Sequence, residues 1–110
     1  MNIDFTSIQP ATIPHFKDGE GSVTASMHVD ASGKIMTARI HTDSSIGMHT
    51  HETNYEVCYI VSGEGKAVCD GKEELLLPGV CHYCPKGSAH TIINTGSEDL
   101  VMFAVVPEAP

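Results

Sequence analysis

Apolar and polar residues in this chain alternate in short runs, and no helical period persists over a useful window. Clusters of Gly, Asp, Asn and Ser interrupt the runs about every ten residues. That spacing predicts an all-β sandwich or barrel. Strands are expected at Ser22–Val29, Lys34–Thr42, His49–His51, Tyr55–Ser62, His82–Pro85 and His90–Thr95, with a closing strand at Leu100–Val106. Lys66–Leu77 reads as a hairpin over Asp70-Gly71, a strong two-residue turn signal. Asp30–Gly33, Glu52–Asn54, Gly63–Gly65 and Pro78–Val80 read as turns, and Gly96–Asp99 as a loop. Residues 1–15 contain Pro10 and Pro14, which suit an extended arm or edge strand. The 110 residues are enough for one hydrophobic core, so a single domain over 1–110 is expected.

Charge narrows the partners. A formal net charge of −8 argues against nucleic acid and anionic membrane surfaces. The first ten residues carry no signal-peptide pattern, and no apolar run is long enough for a membrane span. A cytoplasmic location is therefore expected, with Cys58, Cys69, Cys81 and Cys84 as free thiols. Seven histidines are many for such a short chain, and they direct attention to metal or acid–base chemistry.

His49 and His51 stand two apart, so in a strand they share a face and form a chelating edge for a divalent metal. Glu56 has the wrong parity for that face in an unbroken strand. The turn at Glu52–Asn54 removes the conflict by reversing the chain. Pro85 and Gly87 bend the chain before His90, which can then face the same interior. Three neutral imidazoles and one carboxylate suit Mn, Fe, Ni, Co or Zn and leave positions open for a substrate.

These residues carry a family resemblance. His49, His51, Glu56 and Gly63 match the first cupin motif in identity and spacing, and Gly79, Pro85, Gly87, His90 and Asn94 match the second. Asp43 replaces the opening glycine of the first motif, and Val80 follows the turn glycine where many relatives carry aspartate. The motifs span 43–94. The resemblance implies a small jelly-roll β-barrel with the metal inside and a homodimer, often sharing its amino-terminal strand. It also implies a range of roles: dioxygenases, decarboxylases, isomerases, lyases, and non-enzymatic binding or sensing domains. The expectation is a metal-dependent enzyme acting on a small oxygen-rich metabolite, such as a keto or hydroxy acid, sugar acid or enediol. The chemistry would be Lewis-acid, dioxygenase or decarboxylase in type. The alternative is a non-enzymatic cupin that binds a metal or small ligand.

Other positions stay open in the sequence. Glu56 is a metal ligand that could double as a proton acceptor. Cys58 shares its parity and is either a small core residue or a pocket residue. On the strand 36–42, Met36, Ala38 and Ile40 share one face, and Thr37, Arg39 and His41 the other. Either the apolar face points inward, or it meets a second subunit and turns Arg39 and His41 toward the pocket. In the second case Arg39 would clamp a substrate carboxylate. Cys81 and Cys84 lie three apart in a strand and should face opposite sides. Cys69, near a hairpin tip, has no expected role, and neither do His15 and His28. Tyr55, Tyr59 and Tyr83 are expected to pack with their hydroxyls near solvent.

Overall fold

The computed structural model describes all 110 residues. Ten strands run in chain order: β1 (Ala11–Pro14), β2 (Ser22–Asp30), β3 (Gly33–Ile40), β4 (Ser45–Thr50), β5 (Glu56–Ser62), β6 (Gly65–Cys69), β7 (Lys72–Leu76), β8 (Cys81–Cys84), β9 (Ala89–Asn94) and β10 (Leu100–Pro107). They form a six-stranded sheet, β1-β2-β3-β10-β5-β8, facing a four-stranded sheet, β4-β9-β6-β7. This is the expected jelly-roll of the cupin type, built as two facing sheets rather than one closed hydrogen-bonded ring. No helix is long and apolar enough to cross a membrane.

Alternation sets the core. On β10, Leu100, Met102, Ala104 and Val106 are buried between the sheets. On β3, Met36, Ala38 and Ile40 do the same, and Cys58 and Ile60 do so on β5. The two-residue turn at Asp70-Gly71 has positive φ at both residues, as a tight hairpin between β6 and β7 requires. Asp43 adopts φ 57°, the left-handed conformation that the motif otherwise assigns to glycine. Asn94 is a structural staple. Its Nδ2 donates to the carbonyls of Ile40, His41 and Glu98 at 2.9, 3.1 and 2.8 Å, and its Oδ1 accepts from Gly96 N at 2.9 Å.

Two local features prepare the interior site. First, β4 begins at Ser45, earlier than the expected His49, and it is irregular. Ile46 pairs with Ile92 and His49 with His90, so three steps on β4 oppose two on β9. This bulge changes the parity, which lets both Ile46 and His49 face inward. Second, a strap at His15–Gly19 packs on β4. His15, Lys17 and Asp18 all have positive φ. A Cβ on Gly47 would overlap the Lys17 carbonyl, and one on Gly19 the Ser45 carbonyl. Only glycine allows these backbones to approach so closely, and the contact holds Lys17 over the mouth of the interior cavity.

Candidate metal centre

His49 comes from β4, His51 from the residue after it, Glu56 from the start of β5 and His90 from β9. Their ligand atoms all lie within 4.8 Å of one another. His51 Nε2 is 3.0 Å from His90 Nε2, which is 3.1 Å from His49 Nε2. Glu56 Oε1 lies 3.0 Å from His51 Nε2 and 3.2 Å from His90 Nε2. Donors that share one cation through bonds of about 2.1 Å sit about 3.0–3.4 Å apart. The four separations of 3.0–3.2 Å fit that range.

The outer nitrogens fix the tautomers. His49 Nδ1 faces the Gly47 carbonyl at 2.7 Å, and an oxygen of that kind can only accept. His51 Nδ1 faces Asn54 Oδ1 at 2.6 Å, with the amide assigned so that its oxygen accepts. His90 Nδ1 faces His82 Nε2 at 2.9 Å. When each Nδ1 carries the hydrogen, three Nε2 lone pairs converge with a carboxylate on one point. That donor set suits a divalent transition metal.

Burial and pairing shape the charges. Burial pushes the Glu56 carboxyl upward, but in the cation-free site His51, the Cys58 thiol and the neighbouring His90 outweigh it and hold the group well below the usual carboxylate range. The Glu56 hydrogen bond raises His51 above the ordinary histidine value, against burial. Burial lowers His49. It also pushes the Cys58 thiol well up, so Cys58 is a thiol that donates to Glu56 Oε2 at 3.0 Å. Cys58 is thus both a core residue and a direct neighbour of the cluster, and neither expectation alone describes it.

A cavity of about 260 Å³ opens onto His49, His51 and Glu56. Met36, Ile46, Ile92 and Val106 give it apolar walls, and Lys17, Lys34 and Glu52 also line it. The inward face of β3 is therefore the apolar one. Arg39 and His41 are a correction to the alternative reading: both lie on the other side of the strand, outside the cavity. Arg39 is exposed, 3.9 Å from Asp99, because its parity opposes that of the buried Met36 and Ala38. His41 bonds Thr24 Oγ1 at 2.7 Å and Asp99 Oδ1 at 3.0 Å. Lys34 occupies the place proposed for Arg39. It lies two residues before Met36 on the same face, a parity that extends the apolar stripe back to the turn.

His82 and Glu74 also went unrecognised in the sequence. His82 on β8 is buried between the sheets and links His90 to Glu74 on β7. Its parity with Cys84 was the available signal. Cys81 is exposed and Cys84 buried, so they face opposite sides of β8. Cys69 lies beside the Asp70-Gly71 hairpin turn, as expected, and is buried near Cys84; burial together with that neighbour pushes the Cys84 thiol to about 12.

Residues 36–106 match the family model described as a cupin domain. The chain belongs to the cupin family. An oxalate-binding protein of Thermotoga maritima is 30% identical over 112 residues, covering 96% of this chain and 93% of that protein. The crystal structure of a predicted oxalate decarboxylase from Thermotoga maritima superposes with a TM-score of 0.92 at 28% identity, covering 99% of this chain and all of that one. A cupin 2 conserved barrel protein from Rhodopseudomonas palustris has a TM-score of 0.77 at 14% identity, over 94% of this cupin and 73% of its own chain. At that identity the likeness concerns the fold.

Proposed function

We propose that this cupin is a metal-dependent enzyme acting on a small oxo-acid of the oxalate class, with His49, His51, Glu56 and His90 as metal ligands. One observation carries the reading: the three-histidine, one-carboxylate cluster opens through His49, His51 and Glu56 onto a small cavity that has apolar walls on one side and two lysines in its lining. The oxalate names of the Thermotoga maritima relatives give the substrate class. A bound divalent cation would act as a Lewis acid on the substrate's developing oxyanion. The protein's own residues do the rest. Met36, Ile46, Ile92 and Val106 exclude water from the reacting end. Lys34, half-buried, and Lys17, on its strained strap, neutralise the carboxylate that the cluster does not take. Glu56 stays ionised and is fully engaged, with Oε1 facing two imidazoles and Oε2 accepting from Cys58. Glu52, on the turn after His51, is the carboxylate left for proton transfer at the rim.

Calorimetry with oxalate on metal-loaded protein, followed by assay for carbon dioxide and formate, tests this. Lys34→Met should weaken oxalate binding by about tenfold, the value of one charge-assisted hydrogen bond, and Lys17→Met by less because Lys17 is more exposed. Unchanged affinity in both would refute the clamp. The second reading, a non-enzymatic oxalate-binding protein, is favoured by the name of the curated relative. Tight oxalate binding without product release decides for it.

Two further readings belong to the proposal. The outer face of the six-stranded sheet exposes Tyr59, Val61, Tyr83 and Phe103, at 48, 53, 55 and 37%. Such a contiguous apolar face fits a second copy of the chain. Sedimentation should give twice the 11.7 kDa chain mass, and a monomer at micromolar concentration would exclude the homodimer. The four free cysteines fit a reducing compartment, in keeping with a cytoplasmic location.

A further inference from the structure

We propose that Glu74 and His82 form an outer relay that fixes the ring of His90 and sets how tightly the centre holds its cation. The inference rests on the reading of His90 as a ligand. His82 is 1% exposed, an expensive place for an imidazole unless both nitrogens are satisfied. They are. Nδ1 lies 3.0 Å from Glu74 Oε1, and Nε2 lies 2.9 Å from His90 Nδ1. The ring centroids of His82 and His90 lie 5.2 Å apart with planes 17° apart, so the hydrogen-bonded rings lie end to end and nearly coplanar.

The directions of these bonds follow from chemistry. An ionised carboxylate only accepts, so His82 Nδ1 carries the hydrogen. A neutral imidazole has one N–H, so His82 Nε2 accepts. His90 Nδ1 therefore donates, and its Nε2 lone pair is left facing the cluster. The three ligand histidines are not equivalent. His49 and His51 are oriented by neutral oxygens, from Gly47 and Asn54. His90 alone is connected, through a second imidazole, to a negative charge. Glu74 stands on β7 of one sheet and His82 on β8 of the other, so the relay also ties the two sheets across the interior. A negative charge at its far end makes His90 a stronger donor and holds its ring in one orientation. Glu74 and His82 are thus positioning residues.

The test uses the full chain and Co(II), with affinity measured by chelator competition and the ligand field by visible absorption. His82→Leu should weaken Co(II) binding by about 10–100-fold. His82→Gln should recover most of that loss and restore the absorption band, because its amide oxygen can accept from His90 Nδ1. Glu74→Gln, at a partly exposed edge-strand position, should cost a smaller factor and shift the band. If His82→Leu does not fold, His82→Gln and Glu74→Gln decide between them. Wild-type affinity and spectrum in Glu74→Gln, or a His82→Gln no better than His82→Leu, overturns the relay. Wild-type protein that binds no Co(II) overturns the centre itself. That result differs from wild-type binding with unaffected variants, which removes the relay alone.

Discussion

His51→Ala protein is expected to lose cation affinity by more than about 100-fold, beyond the usual cost of removing an outer-shell partner. His51 is 6% exposed, and both of its nitrogens are committed. Nδ1 is held by Asn54, and Nε2 lies 3.0 Å from both His90 Nε2 and Glu56 Oε1. Alanine removes one donor and also frees Glu56 from the strongest hydrogen bond that keeps it ionised. Metal content after purification should fall to a small fraction of the wild-type value. Melting in chelator checks that the fold survives. His41→Ala is the control: it removes an imidazole from the outer surface and should leave metal content unchanged. Equal metal stoichiometry in His51→Ala and wild type would mean the cation binds elsewhere.

The control works because His41 was also a candidate for the pocket, outside the motif that contains His51, and the fold turns it away from the cavity. Much of the site was legible. The two-residue spacing of His49 and His51, the turn that brings Glu56 back, and the bend before His90 are local features. Local geometry is what alternation and turn residues encode. The legible part failed where facing depends on a distant strand. Arg39 and Lys34 differ by one odd step on β3, and the side that faced the cavity was decided by the opposing sheet. His82 was hidden for the same reason. Its partners, Glu74 and His90, lie on β7 and β9 of the sheet that faces its own, and no spacing within Cys81–Cys84 reports that contact. The bulge on β4 is a third case. Strict alternation from Ile46 would have turned His49 outward, and only the pairing of Ile46 with Ile92 and of His49 with His90 shows the extra residue.

Between pH 5 and pH 8 the melting temperatures of the metal-free and metal-loaded proteins should move apart. In the metal-free protein the hydrogen bond to Glu56 raises His51, so its folded pKa lies above the unfolded value of about 6.5. A group raised on folding gives its full stabilisation below the unfolded pKa and loses it as pH rises through the folded one. The metal-free protein therefore weakens on the alkaline side. Glu56 is depressed on folding, so its contribution is present throughout this window and is lost only in stronger acid. His49 is shifted the other way, lowered by burial. The cation needs the His51 lone pair, so its binding expels that proton and strengthens with pH, by up to about tenfold per unit. At a free cation concentration of one hundred times Kd the gain is about 2.7 kcal/mol, a shift on the order of 10 °C for a domain of this size. The gap should be that large near pH 8 and close toward pH 5, as differential scanning calorimetry in Mn(II) and in chelator can show. A gap independent of pH would mean that no proton leaves the site on binding. Glu56→Gln separates the two contributions. It removes the charge that raises His51, so the alkaline weakening of the metal-free protein should disappear even though the variant also binds metal less well.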